Sequence, residues 1–329
     1  MQLTPPITLF TDSKQQPIQI RQGHHLNILK TLSVALMSAV ISPVLLAQAP
    51  ESGYDFEAFD SPEGWAMAYT LASALNLGSG PAEHRGVFTW KLEAELASIP
   101  HLSQEQQRVG FGGFKPEDMN KSPVFGRARL SVALPAAVTA ELSWTPPLEI
   151  DGAKPESLFG LALERELVSV GSWRLGGRLH AVRGHASADV TCSRDVASNA
   201  PGSASNPFGC SGPSVDRLRM NQQGAEVMLS RSMFDGRLQP FVAYATTHFR
   251  PFVEVEAPLF DSLHYWELQS SGTVDTFTLG ARVAITPVWQ SSVAFSYTPL
   301  SVIRPRVDNR QHDDFWSLRI SVARLSPLR

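Results

Sequence analysis

Asp275–Leu300, DTFTLGARVAITPVWQSSVAFSYTPL, is the stretch on which the fold turns. Phe277, Leu279, Ala281, Val283 and Ile285 alternate with Thr278, Gly280, Arg282 and Ala284. That period of two puts one apolar face on a strand. Val293, Phe295 and Tyr297 then alternate with Ser292, Ala294, Ser296 and Thr298, after the tight join Thr286–Gln290. The stretch reads as a β-hairpin.

The same rhythm extends in both directions. Upstream, Phe88, Trp90, Leu92, Ala94 and Leu96 oppose Thr89, Lys91, Glu93 and Glu95. Leu130, Val132 and Leu134 oppose Arg127, Arg129 and Ser131, and Val138, Leu142 and Trp144 oppose Thr139, Glu141 and Ser143. Phe159, Leu161 and Leu163 oppose Gly160, Glu164 and Glu166, with Arg165 on the wrong face as the mark of a bulge. Trp173, Leu175 and Leu179 oppose Arg174, Arg178 and His180. A weaker strand spans 218–233 and carries Glu226; a run apolar on both sides spans 238–255. Trp316, Leu318 and Ile320 close the series against Ser317, Arg319 and Ser321, giving ten strands.

Connections choose the architecture. The joins near residues 135, 172, 235 and 288 are short, while 100–121, 146–156, 191–215, 258–274 and 301–314 are long. Alternating short turns and long loops is how outer-membrane barrels are built, with the short turns in the periplasm. A soluble β-sandwich has no reason to keep that alternation, and it hides its apolar face. The expectation is an all-β fold, a closed antiparallel transmembrane barrel of about ten strands over 85–329, with a short amino-terminal helix.

Ahead of the barrel, Lys30 and the apolar run Thr31–Ala49 ending in Ala47-Gln48-Ala49 read as a signal peptide behind a long leader, residues 1–49. Residues 50–84 then form a periplasmic linker and helix. Ser61-Pro62-Glu63 caps a helix running to Gly78, whose Trp65, Met67, Tyr69, Leu71, Leu75 and Leu77 leave little surface for water. Its expected place is the periplasmic mouth of the barrel, with a plug inside the lumen as the alternative. Cys192 and Cys210, in a Ser, Asn, Pro and Gly-rich segment of an exported chain, read as a disulfide closing an external loop.

At this point the chain resembles the bacterial outer-membrane β-barrel proteins as a broad class. EGWAMAY, RVGFGGFKPEDMNKSPVFGR and NPFGC also resemble segments of exported bacterial proteins. The resemblance implies location in the outer membrane and a barrel fold, and no activity. One departure is the end Leu325-Ser-Pro-Leu-Arg329, where such barrels usually finish on an aromatic residue.

With 18% charged and 43% apolar residues among 329, the chain is neither disordered nor a bundle of membrane helices, and its net charge of −3 gives nucleic acid no footing. If the apolar face meets lipid, the other face lines the lumen with Lys91, Glu93, Glu95, Arg127, Arg129, Glu141, Glu164, Glu166, Arg174, Arg178, His180, Glu226, Arg282 and Arg319. Ten strands lie well below the roughly 16–18 of open porins. Two readings follow. One is a closed, salt-bridged, structural lumen in a barrel that acts through its external loops. The other is a narrow conduit or binding site for a small polar or anionic solute drawn by Arg127, Arg129, Arg174 and Arg178. Outer-membrane lipid is the other expected partner.

For enzymatic work, Asp261 with His264 and His312 with Asp313 and Asp314 are the candidates, comparable in kind to the Asp pairs and Asp-His couple of the omptin proteases. The Asp-x-x-His spacing differs, and Asp313 and Asp314 point to opposite sides of a strand. No Walker loop, His-Glu-x-x-His or nucleophile elbow is present. The reading is a non-enzymatic barrel without cofactor or metal. Gly110-Phe-Gly-Gly-Phe114 reads as a flexible loop.

Overall fold

The computed structural model describes residues 55–82, 86–305 and 310–327. The signal peptide expected at 1–49 lies outside these residues. Ten antiparallel strands form one ring: β1 (Trp90–Ser98), β2 (Val124–Leu134), β3 (Val138–Thr145), β4 (Leu158–Val170), β5 (Trp173–Ala188), β6 (Val215–Arg231), β7 (Leu238–Phe249), β8 (Gly272–Ala284), β9 (Trp289–Thr298) and β10 (Phe315–Leu325). Each pairs with its neighbours in sequence. The last closes on the first, from Arg319 opposite Ala97 to Leu325 opposite Lys91. The ring is therefore closed, and its up-and-down order matches the alternation of short and long joins.

The hairpin of β8 and β9 shows why alternating sequence gives this wall. Phe277 sits opposite Tyr297 and Leu279 opposite Phe295, with all four side chains exposed on the outside. Thr278, Arg282, Ser292 and Ser296 are buried on the inside. Tyr244, Phe277, Tyr297 and Trp316 stand in one cross-strand row towards the long-loop end, and Trp90, Trp173 and Trp289 mark the short-turn end. In water each large apolar side chain left uncovered forfeits about 1.5–3 kcal/mol. Across the whole outer face that cost demands a non-aqueous solvent. Lipid between two aromatic girdles is the arrangement of outer-membrane barrels, and the barrel spans a membrane.

Two local expectations are revised, and the bulge expected near Arg165 is present. The run 238–255 is two elements, because Pro251 lacks an N–H and stops β7 at Phe249. The chain then leaves the ring as an outer hairpin, Phe252–Leu259 and Ser262–Gln269, whose first strand pairs with Val215–Arg219 of β6. The irregularity suggested by Arg165 is a register shift between Glu166 and Val168 of β4. Gly110–Phe114, read as a flexible loop, is the tip of a small hairpin between Arg108–Gly110 and Lys115–Pro116. Its turn uses the positive φ of Gly112 and Gly113.

Cys192 and Cys210 form the expected disulfide, with Cα atoms 5.7 Å apart. Both cysteines are fully buried against Ala257 and Leu259 of the outer hairpin. Asn206 holds the loop inside it, accepting from the Cys210 N–H at 2.8 Å and donating to the Cys210 carbonyl at 2.7 Å. Replacing both cysteines by serine is expected to loosen this loop by about 3 kcal/mol through the lost loop closure. Limited proteolysis should then cut within 193–209, while the heat-modifiable migration of the barrel persists.

Candidate functional site

The helix α1 (Pro62–Ser73) begins as its sequence dictates. Ser61 Oγ accepts from the Gly64 N–H at 3.1 Å, with Pro62 in the first turn. Gly64 is required by close approach, since a Cβ there would lie 2.0 Å from the Ala58 carbonyl oxygen. Trp65 Nε1 donates to the Asp313 carbonyl at 2.9 Å and Tyr69 OH to the Pro100 carbonyl at 2.8 Å. Both acceptors belong to long loops. The helix therefore sits at the long-loop end, buried among Phe249, Phe315, Val182 and Met220, and not at the short-turn mouth where it was expected.

The helix stops at Ser73, short of the expected Gly78, because the wall takes over its carbonyls. Gln222 Nε2 donates to Ala74 O at 3.1 Å, Arg127 Nη2 to Leu75 O at 2.8 Å, and Arg319 to Leu77 O and Gly78 O at 3.3 and 3.2 Å. The Gly78 N–H donates to Glu226 at 2.8 Å, Ser79 Oγ to Glu93 at 2.9 Å, and Arg282 Nη1 reaches Pro81 O at 2.8 Å. Residues 74–82 thus run down the lumen as an extended thread. The chain emerges at the short-turn end, where the Phe88 N–H meets the Ala133 carbonyl at 2.7 Å, and enters β1.

Around the thread the inner face is an ion-pair lattice. Arg129 bridges Glu95 at 2.6 Å, Glu141 at 2.9 Å and the Asn76 side-chain carbonyl at 2.9 Å. Arg127 meets Glu95 at 3.0 Å; Arg178 meets Glu141 at 2.7 Å and Glu164 at 3.0 Å; Lys91 meets Glu93 at 2.8 Å. Arg282 hydrogen-bonds Gln239, and buried His180 shares a 3.1 Å contact with Thr247 Oγ1. Glu166 and Arg174 stand apart, half-exposed and 3.7 Å from each other, where β4 and β5 meet at their short turn. Asn76, Gln222, Gln239 and the thread's own carbonyls were not singled out from the sequence. A backbone carbonyl has no sequence signature, but the Gly78-Ser-Gly-Pro81 run marks chain that is not helical.

Above the lattice lies a chamber of about 470 Å³, bounded by α1, the two loops 99–123 and 146–157, and the upper parts of β5 and β6. Tyr69, Ala74, Met119, Leu158 and Met220 give it an apolar lining. The 108–116 hairpin reaches over it: the Phe111 ring lies 5.9 Å from Phe208 and from Trp266, and the Gly112 N–H donates to Glu63 at 2.5 Å. Lys115 joins Glu117 at 2.6 Å and donates to the Thr191 carbonyl. Burial pushes the Glu117 carboxyl up to about 8 against the opposing pull of Lys115.

The histidines named for catalysis fall on separate elements. His264 stacks on Trp266 in the outer hairpin, at 5.6 Å between ring centres, and His312 pairs with Ser301 in a two-residue ladder. Asp313 is held by Arg304 at 2.5 Å, and Asp314 accepts from Tyr297 OH at 2.6 Å. Among the described residues no group of three or more His, Cys, Asp or Glu side chains could hold a metal ion.

Two outcomes follow from these contacts. Arg129→Met removes the cation that Glu95 and Glu141 share, leaving Arg127 on one and Arg178 on the other, and should cost about 3 kcal/mol. Arg174→Ala, at the half-exposed rim, should cost no more than about 1 kcal/mol; urea midpoints of the heat-modifiable form compare the two. The Glu117 pKa lies above its ordinary value in the folded chain, so its contribution to stability is present at low pH and is lost as pH rises through about 8. Protease protection of 99–123 should therefore fall between about pH 4.5 and 8 and level off above that, and Glu117→Gln should flatten the dependence.

No protein-family model matches the chain, and no curated protein sequence matches it. Among solved structures it is similar to the outer membrane protease OmpT of Escherichia coli, at 10% identity over 72% of this chain and 94% of that one, with a TM-score of 0.37. The COG4313 outer membrane channel of Pseudomonas putida F1 aligns at 12% identity over 76% and 100% of the two chains, also with a TM-score of 0.37. The toluene transporter TodX of Pseudomonas putida aligns at 9% identity over 75% and 92%, with a TM-score of 0.33. Similarity at this level carries nothing about activity.

Proposed function

We propose that the protein is an outer-membrane barrel that binds a small apolar or amphipathic molecule in the chamber at its long-loop end. The observation that carries this reading is the pairing of a half-open, apolar-lined space of about 470 Å³ with a lower lumen already filled by the thread. Pockets of this size with an apolar lining and a few polar groups at the edge are how small-molecule sites are built. Glu117, Lys121 and Asp216 supply the polar edge.

The expected polar or anionic solute fits this geometry less well. Arg127, Arg129 and Arg178, which would have drawn an anion, spend their donors on Glu95, Glu141, Glu164 and the thread. Passage of such a solute requires residues 74–82 to leave the lumen, giving up several buried charge-assisted bonds at once.

Fluorescence titration with N-phenyl-1-naphthylamine tests the reading. The wild type should bind it saturably, and Ala74→Trp or Met220→Trp, which fill the chamber, should raise Kd at least tenfold. In planar bilayers the full chain should show no steady conductance. An open ion conductance together with absent dye binding would favour the polar conduit.

A further inference from the structure

We propose that the chamber opens sideways into the membrane, through a gap in the wall between β2 and β3, and that an uncharged lipid-soluble ligand exchanges with the bilayer by this route. The inference rests on the binding reading above and adds the path.

The gap is written in the register. On one side β2 is paired with β1 from Trp90 opposite Val132 all the way to Ser98 opposite Val124. On its other side the ladder to β3 runs from Leu134 opposite Val138 only as far as Ala128 opposite Trp144. Val124–Arg127 therefore continue up the wall with β1 alone. What would have been their partner is Thr145 followed by Pro146 and Pro147, two residues with no N–H to donate. The chain then bends away from β2. The Leu148 N–H turns back to the Pro146 carbonyl at 2.8 Å, Asp151 and Gly152 take positive φ, and Lys154 and Pro155 pair with Ser187 and Ala186 of β5.

The chamber crosses the wall at that place. Its boundary includes Leu158 and Met220, buried on the inner face, and also Leu96 and Val124, which are 62% and 41% exposed on the outer face. A space that touches both faces of one sheet passes through it or around a strand end, and this one does so where the β2–β3 ladder has stopped. The outer rim is completed by Leu148 and Ile150, 67% and 38% exposed, so the opening is apolar on both lips. Gly126 stands on the edge of β2 beside the gap and adds no side chain. The level is that of the outer aromatic girdle, just above the exposed pair Trp144 and Phe159.

The other directions are filled or lead to water. Downward the thread and the ion-pair lattice fill the lumen. Upward the 108–116 hairpin is fastened by the Phe111 contacts and by Lys115 to Thr191. An apolar molecule leaving upward meets water, whereas one leaving sideways stays in an apolar medium, and the transfer term of roughly 25 cal/mol per Å² favours the second.

The test reads transfer rate separately from affinity. N-phenyl-1-naphthylamine is bound to the full chain in lipid vesicles, and its departure into empty vesicles is followed by loss of energy transfer from the protein's tryptophans. Ala128→Phe and Pro147→Phe, at the foot and the exposed lip of the gap and outside the chamber lining, should each slow departure at least fivefold. Unchanged rates in both folded variants, with wild-type affinity retained, would overturn the lateral path and leave the binding reading standing. Failure of the wild type to bind the dye would overturn the binding reading itself. A second measurement needs no variant: a diazirine-bearing alkane should label 124–127 and 146–150 saturably, while the lipid-facing Leu161 of β4 is labelled in proportion to concentration. Proportional labelling at both places would also overturn the path.

Discussion

Arg129 is the interaction on which the interior depends. Its guanidinium joins two carboxylates from two different strands, Glu95 of β1 and Glu141 of β3, and the side chain of Asn76 on the thread. A planar fork of five donors is suited to that task, because it satisfies several acceptors in one plane without moving. Without it Glu95 and Glu141 lose the cation they share, and the thread loses one of the anchors that fix its height in the lumen. One side chain thus ties wall to wall and wall to plug. Arg127, Arg178 and Arg319 repeat the arrangement around it, each answering a carboxylate on the wall and a carbonyl on the thread.

The lumen is divided by chemistry into two storeys. Below, charges and backbone polar groups satisfy one another with the thread as a central acceptor rail. Above, the thread becomes the helix α1, its carbonyls turn inward to its own ladder, and the side chains it presents are apolar. The same nine or so residues that end one storey begin the other, so the transition from polar filling to apolar space coincides with the end of the helix at Ser73. The chamber is a consequence of that switch in how a short segment satisfies its own backbone.

The barrel was legible in the sequence because a period of two is a direct image of a wall with different solvents on its faces. Phe277 and Arg282 announce their sides without reference to anything distant. The thread was not legible in the same way. Trp65, Tyr69 and Leu71 showed that the helix is enclosed, but its partners are wall arginines and its own carbonyls, and nothing in residues 74–82 names them. The scarcity of polar side chains on this segment argued against a lumen position, and the wall supplied the polarity instead. The split of the run 238–255 had a visible sign in Pro251, hidden by strand-like alternation on both sides of it. The gap beside β2 depends on where a ladder stops, which Pro146-Pro147 marks only once its pairing partner is known.

The thread precedes β1 in the chain, and β10 is the strand that seals the ring against β1. Residues 74–82 are therefore inside a cylinder whose seam joins the first strand to the last, and the sealing strand carries Arg319, whose guanidinium rests on Leu77 and Gly78. A ring closed early would have to admit α1 and the thread end-on past an already crowded lattice, whereas a ring closed late wraps its wall around a core laid down first. In the second case the segment made first would serve as the mandrel on which the last strand is joined.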